Sequence, residues 1–185
     1  MMVETEKVYV TWEEFDKLII KLADDIKAFK VKDKSLAEAI FIIVTKPRGG
    51  FPVATALSHA LGITNVHQYL PSVVDYSAHN DVIHLIVDDI ADSGETLFDM
   101  VHNIGLKNTY VAVLHYKKDR SRIRPDFYGK TIEMNHWIVY PWETDESTDT
   151  GAEKRIVPSI HRDIEEDLIK EKEEADEPQV NDDDF

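Results

Sequence analysis

The densest chemistry in the 185-residue chain lies at Asp88-Asp89-Ile90-Ala91-Asp92-Ser93-Gly94-Glu95-Thr96. A continuous apolar run, VIHLIV at 82–87, precedes it and reads as a buried strand. A helix is expected over 95–104, closed by Gly105. In an open α/β sheet, the carboxyl end of a strand is where ligands bind. Ser93, Gly94, Glu95 and Thr96 would offer backbone N–H groups and two hydroxyls at a helix N-terminus, which suits a phosphate. Gly94 has no Cβ, so the backbone can approach an oxyanion closely. Asp88 and Asp89, when ionised, are acceptors only. They suit a vicinal diol or a divalent cation and would repel a phosphate set against them. One loop thus combines a diol or metal end with a monophosphate end, which is the shape of ribose 5-phosphate.

Two other readings of that stretch stand beside this one. It has the form of a solvated acidic turn capping a helix. It also matches the DDxxD metal motif of prenyl-diphosphate enzymes, although that motif belongs on long helices in all-α folds. A second candidate loop is Lys46-Pro47-Arg48-Gly49-Gly50. Its two glycines let backbone N–H groups face an anion, and Arg48 is a bidentate donor. An ordinary strand-to-helix turn would look the same. Lys117 follows the apolar run 109–115, where a surface lysine is the plain alternative to a binding role. Trp137 lies in HWIVY, where a core aromatic in an edge strand is the plain reading. Lys117, Lys118, Arg120, Arg122 and Arg124 form a basic run interleaved with Asp119, Ser121 and Ile123, which reads as a solvated loop. The eight histidines show no metal spacing, and His84 and His115 fall inside strands. No GxxxxGK[ST] loop or GxSxG elbow occurs.

The elements that would position these residues follow from hydrophobic periodicity. Thr11-Trp12-Glu13-Glu14 has the form of a capping box. Phe15, Leu18, Ile19, Leu22 and Ile26 then recur at helical spacing, giving a helix near 12–29. A short strand is expected at 8–10. The run AIFIIVT at 39–45 suits a strand buried on both faces. A helix at 51–61 has Pro52 in its first turn and Gly62 past its end. Strands are expected at 66–70, 109–115 and 136–140, and a polar loop at 71–81. Strands alternating with helices imply an α/β fold with a mostly parallel sheet flanked by helices.

Acidic residues outnumber basic ones by 36 to 21, and the chain has no cysteine. There is therefore no disulfide framework, no Cys-ligated zinc and no thiol nucleophile. The charge is uneven: residues 143–185 hold 17 acidic and 5 basic side chains, so the excess sits at the C-terminal end. A domain over 1–143 and an acidic, partly disordered tail over 144–185 are expected. Such a tail either keeps the protein soluble or meets a basic partner. No net basic footprint favours nucleic acid. No 18-residue apolar run and no apolar leader segment is present, so a cytoplasmic protein without a membrane span is expected.

Asp88 to Thr96 resembles the phosphoribosyl-diphosphate (PRPP) signature of the type I phosphoribosyltransferases. Ala91 stands where a larger aliphatic is usual, and Ser93 where Thr is common. Lys46 to Gly50 resembles the diphosphate loop of that family. Trp137 to Glu143 is similar to the base-covering hood of its xanthine–guanine branch. The chain is closest to the predicted hypoxanthine/xanthine phosphoribosyltransferase group, over roughly residues 8–143.

The resemblance implies a type I phosphoribosyltransferase fold with a small C-terminal hood. It implies a 6-oxopurine phosphoribosyltransferase that uses PRPP and Mg²⁺ and forms a dimer or tetramer. Arg48, Gly49 and Gly50 would take the diphosphate, and a cis peptide would fall at Pro47–Arg48. Asp88 and Asp89 would hold the ribose hydroxyls, with Asp89 on the metal side and Glu143 near the metal-bound diphosphate. Ser93, Gly94, Glu95 and Thr96 would hold the 5′-phosphate. Asp92 would act as acid/base beside the purine N7. Lys117 would contact the 6-oxo group, while Trp137 would stack on the base and Ile138 would read its edge. The segment 71–81 would be the closing loop, short for the family and without Lys or Arg. Regulatory proteins of the same fold carry the PRPP signature too, so a PRPP or nucleotide sensor with little catalysis is the second reading.

Overall fold

The computed structural model describes residues 5–31, 34–70 and 82–143. The expected closing loop at 71–81 and the acidic tail at 144–185 lie outside the described residues. In chain order the elements are β1 (Glu6–Tyr9), α1 (Trp12–Ala28), β2 (Lys30–Val31), β3 (Lys34–Ser35), α2 (Leu36–Ala39) and β4 (Ile40–Thr45). They continue with α3 (Gly50–Leu61), β5 (Val66–Gln68), β6 (Ile83–Ala91), α4 (Glu95–Ile104), β7 (Thr109–Tyr116), β8 (Phe127–Thr131) and β9 (His136–Val139).

The central sheet has five parallel strands in the order β5-β4-β6-β7-β8. The chain leaves β4 toward β5 on one side and leaves β6 toward β7 on the other. Adjacent strands whose connections diverge open a crevice at their carboxyl ends. Here that crevice lies between β4 and β6, where the Lys46–Gly50 turn and the Asp88–Thr96 stretch emerge. The fold therefore brings together two loops that stand 38 residues apart in sequence (Gly50 to Asp88).

Both faces of the sheet are covered. Leu18, Leu22 and Ile26 of α1 pack with Val53 and Leu57 of α3 and with Ile43, Leu85 and Leu114 of the strands. On the other face, Leu97, Met100 and Ile104 of α4 meet Val44, Ile86, Val111 and Val113. Each fully buried aliphatic side chain contributes about 1.5–3 kcal/mol of transfer free energy. Double-sided burial is why these strands read as continuous apolar runs.

Several expectations change in detail. The strand expected at 82–87 runs on to Ala91, because β7 keeps pairing with it through Ile90↔His115 and Ala91↔Tyr116. Asp88 and Asp89 are thus part of the strand rather than of the loop beyond it. The last strand is not in the main sheet: β9 pairs in parallel with β1, Trp137 opposite Lys7 and Ile138 opposite Val8. The main sheet's edge is β8, which the sequence analysis missed. The small β2–β3 pair and α2 were missed as well. Half of the capping box at α1 forms, since Thr11 Oγ1 accepts the Glu14 N–H at 3.1 Å. The Glu14 carboxylate turns instead to Lys130 Nζ at 3.0 Å and ties α1 to β8. Among the described residues, no helix is long and apolar enough to cross a membrane.

Candidate active site

The turn after β4 and the end of β6 touch. A Cβ at Gly49 would run into the Asp89 carboxylate. A Cβ at Gly50 would overlap Thr45 Oγ1 and lie 3.1 Å from both Asp88 Oδ1 and the Val87 carbonyl. A side chain at either glycine would have to displace these groups, before any ligand is considered. The Pro47–Arg48 peptide is cis, at the bond singled out in the sequence. Thr45 Oγ1 donates to the Val87 carbonyl at 2.8 Å and locks the two strand ends together.

The acid pair is an electrostatic strain point. Asp88 Oδ1 accepts the Asp89 N–H at 3.1 Å, and Asp89 Oδ1 accepts the Ile90 N–H at 2.8 Å. Burial pushes both carboxyls above the ordinary carboxylate range. The Asp89 charge adds to the rise at Asp88, and the Glu143 charge adds to it at Asp89. Two carboxylates with raised proton affinity are waiting for positive charge or hydrogen-bond donors. Among the described residues, no three His, Cys, Asp or Glu side chains gather into a metal-binding cluster.

Beyond Ala91 the chain turns into α4. Gly94 has φ +76° and caps the helix in the left-handed region, where a side chain is unfavourable. A Cβ there would also overlap Ser121 Oγ and lie 3.0 Å from the Ile123 nitrogen. Ser93 Oγ accepts the Glu95 N–H at 3.4 Å.

The basic run is not a free loop. Arg122 N–H donates to the Ser93 carbonyl at 2.9 Å, and Arg122 Nη1 lies 2.6 Å from Glu95 Oε2. The Arg122 guanidinium also sits 3.6 Å above the Phe98 ring. Lys117 is 3% exposed rather than a surface lysine, and its Nζ lies 3.2 Å from Asp92 Oδ1. Arg120 Nη1 lies 3.0 Å from the same oxygen. The alternation of charges suggested solvation, and spacing alone gave no sign that this segment folds over the Asp92–Glu95 loop.

The segment after β9 reaches the acid pair through Tyr140. Trp137 is 58% exposed and so is not a core aromatic; its ring is available for stacking. Ile138, by contrast, is buried in the core. Tyr140 Oη donates to the Asp89 carbonyl at 2.9 Å and lies 2.9 Å from His115 Nδ1. A phenol has one proton and a carbonyl only accepts, so the His115 Nδ1–H must be the donor to Tyr140. Burial, reinforced by the Asp89, Asp88 and Glu143 charges, holds the Tyr140 phenol well above its ordinary value, so it stays a donor. The Tyr140 N–H donates to Glu143 Oε2 at 3.0 Å. Sequence reasoning missed Tyr140 as the link between hood and acid pair. Its only signal was a polar tip at the end of an apolar strand.

Burial lowers the His115 imidazole from 6.5 to about 4. Protonation therefore favours the unfolded chain. This contribution is complete above pH 6.5 and is lost as pH falls from 6.5 toward 4, with a ceiling of about 3 kcal/mol. Replacing His115 by Gln should remove that part of the acid sensitivity. The stability advantage of wild type over His115→Gln, from urea unfolding at pH 7.5 and 4.5, should shrink at the lower pH. An advantage independent of pH would show that the imidazole is not held neutral.

No protein-family model matches the chain. It is similar to the xanthine-guanine phosphoribosyltransferase of Desulfotalea psychrophila, 25% identical over 130 residues, 64% of this chain and 78% of that protein. Among solved structures, it resembles a purine phosphoribosyltransferase from Pyrococcus horikoshii at TM-score 0.61 and 30% identity. That match covers 75% of this chain and 95% of the other. The xanthine-guanine-hypoxanthine phosphoribosyltransferase of Helicobacter pylori matches at TM-score 0.60 over 77% and 95% of the two chains. At 21% identity this last likeness is one of fold alone.

Proposed function

Because the chain belongs to the purine phosphoribosyltransferase family, we propose that it transfers a 5-phosphoribosyl group from PRPP to a ring nitrogen of a 6-oxopurine and releases diphosphate. The observation that carries this reading is the meeting of the Gly49–Gly50 turn with the Asp88–Asp89 pair, one strand end away from the Asp92–Lys117 ion pair. That arrangement supports one place for diphosphate, one for ribose and one for the base.

The C1–O bond of PRPP breaks through an oxocarbenium-like state, so catalysis rests on positioning and charge stabilisation. Arg48 and the Gly49 and Gly50 amides hold the leaving diphosphate. Asp88 and Asp89 accept the ribose hydroxyl protons as hydrogen bonds. The Ser93–Thr96 amides and hydroxyls hold the 5′-phosphate. Mg²⁺ bound on the Asp89 side, with Glu143 nearby, would neutralise the departing diphosphate. Asp92 takes or returns the proton of the base at N7, and Lys117 donates to its 6-oxo group. Trp137 covers the ring, while the Ile138 backbone reads its edge.

The test is direct. Purified protein with Mg²⁺ and PRPP receives hypoxanthine, guanine, xanthine, adenine or orotate, and nucleotide and diphosphate are measured. Product with a 6-oxopurine supports the transferase. PRPP binding by calorimetry with no product from any base would favour a PRPP sensor instead. Lys117→Ala should lower the preference for 6-oxopurines over adenine by about tenfold, equivalent to one hydrogen bond to a charged group. PRPP affinity should move less. Unchanged base preference would remove Lys117 from base recognition.

A further inference from the structure

The basic run after β7 carries a feature that the proposed reaction does not use. Lys117 and Arg120 stand three residues apart in one turn, and both reach Asp92 Oδ1, at 3.2 and 3.0 Å. Arg120 Nη1 is also 3.3 Å from Asp92 Oδ2. The turn is anchored to the last residue of the strand that leads into Asp92, since the Lys117 N–H donates to the Ala91 carbonyl at 3.0 Å. It closes on itself through the Arg120 and Ser121 N–H groups, which donate to the Lys117 carbonyl at 3.1 and 2.9 Å. The backbone thus fixes where the Arg120 side chain starts, and Asp92 fixes where it ends. One carboxylate faces two cations, so the cluster has a formal net charge of +1. Arg122 is engaged elsewhere, on Glu95 and Phe98, and does not add to it.

We propose that Arg120 is a specificity-determining residue of the base site, and that its charge favours purine bases bearing negative charge over neutral ones. The inference rests on the reading of Asp92 as the residue beside the base. A single cation on Asp92 would leave the cluster neutral. The second leaves an excess positive charge 3.0 Å from Asp92, the residue read as lying beside the base, and Coulomb attraction at intermediate dielectric is substantial at such short range. Arg120 is half exposed, so solvent and salt reduce its effect but do not cancel it. A 6-oxopurine with a second ring oxo group gives up a ring proton near neutral pH, whereas one with a single oxo group does not. Arg120 would therefore separate bases that hydrogen bonding to the 6-oxo group alone cannot.

The test is binding, so that it does not depend on turnover. Calorimetry at pH 7.5 and low salt would compare xanthosine 5′-monophosphate with inosine 5′-monophosphate on wild type, Arg120→Gln, Arg120→Lys and Arg124→Gln. Arg124 belongs to the same run but makes no ion pair with Asp92 among the described residues, and it controls for overall charge. The affinity ratio of xanthosine to inosine nucleotide should fall about tenfold in Arg120→Gln, hold in Arg120→Lys and hold in Arg124→Gln. An equal loss for both nucleotides in Arg120→Gln, or an unchanged ratio, would overturn the role of Arg120 and leave the proposed function standing. An equal fall in Arg124→Gln would also overturn it, as an effect of net charge. Wild type that binds neither nucleotide would overturn the function itself, and this inference with it.

Discussion

Asp92→Asn is expected to lower turnover with a 6-oxopurine by about 10²–10⁴-fold, the usual contribution of a positioned acid/base. PRPP should still bind within a few-fold of wild type. The substitution leaves the Lys46–Gly50 turn, the acid pair and the Ser93–Thr96 stretch, the segments proposed to hold PRPP, untouched. It removes the ability to take or return a proton at the base. Its side effect is also specific. Lys117, nearly fully buried, loses its anion. An unpaired buried ammonium is costly, but Asp92 is one-third exposed and water can partly replace it. A modest fall in Tm is therefore expected alongside the large fall in rate. Single-turnover rates and PRPP calorimetry on the same preparation separate the two. Full activity in Asp92→Asn would refute the acid/base assignment, and loss of PRPP binding would place Asp92 in the ribose site instead.

What the sequence made legible follows a physical rule. Strands buried on both faces are long runs of β-branched residues, and β4, β6 and β7 could be read for that reason. The edge strand β8, FYGKT, has mixed polarity and a central Gly129, so no period marks it. A Cβ at Gly129 would come within 2.8 Å of the Leu114 carbonyl. That glycine serves a close approach to β7, which one chain segment cannot reveal. The site divides in the same way. The acid pair and the proposed phosphate cradle are local, because one strand–loop–helix passage supplies both. The role of the basic run is not local. It depends on Arg122 reaching Ser93 and on Lys117 and Arg120 converging on Asp92, contacts that span 25 to 29 residues. The hood strand was read correctly as a strand, but its partner is β1, from the opposite end of the domain. Pairing across such a distance is set by tertiary packing and leaves no pattern in either strand.

The double variant Asp88→Asn/Asp89→Asn should move activity and stability in opposite directions. PRPP turnover should fall by at least about 10²-fold, since neutral amides hold neither Mg²⁺ nor the ribose hydroxyls as carboxylates do. Stability without ligand should rise. The Asn Oδ1 atoms can keep the acceptor roles toward the Asp89 and Ile90 N–H groups. What disappears is the desolvation of two adjacent charges. The pH sign follows from the raised folded-state values, about 6 for Asp89. Below the unfolded carboxylate value, near pH 4, both states are protonated and the pair costs nothing. As pH rises, the unfolded chain ionises first, so the folded state loses stability until pH passes the folded value. The advantage of the variant should therefore grow from about pH 4 through about pH 6, where Asp89 ionises in the folded state, and keep growing above that as the more strongly raised Asp88 ionises. His115 is common to both proteins, so its opposite acid sensitivity cancels in the difference. Mg²⁺ with PRPP should raise the Tm of wild type and leave that of the variant nearly unchanged. A variant less stable at every pH would mean that the carboxylates are structural. A variant more stable but fully active would mean that PRPP is held elsewhere.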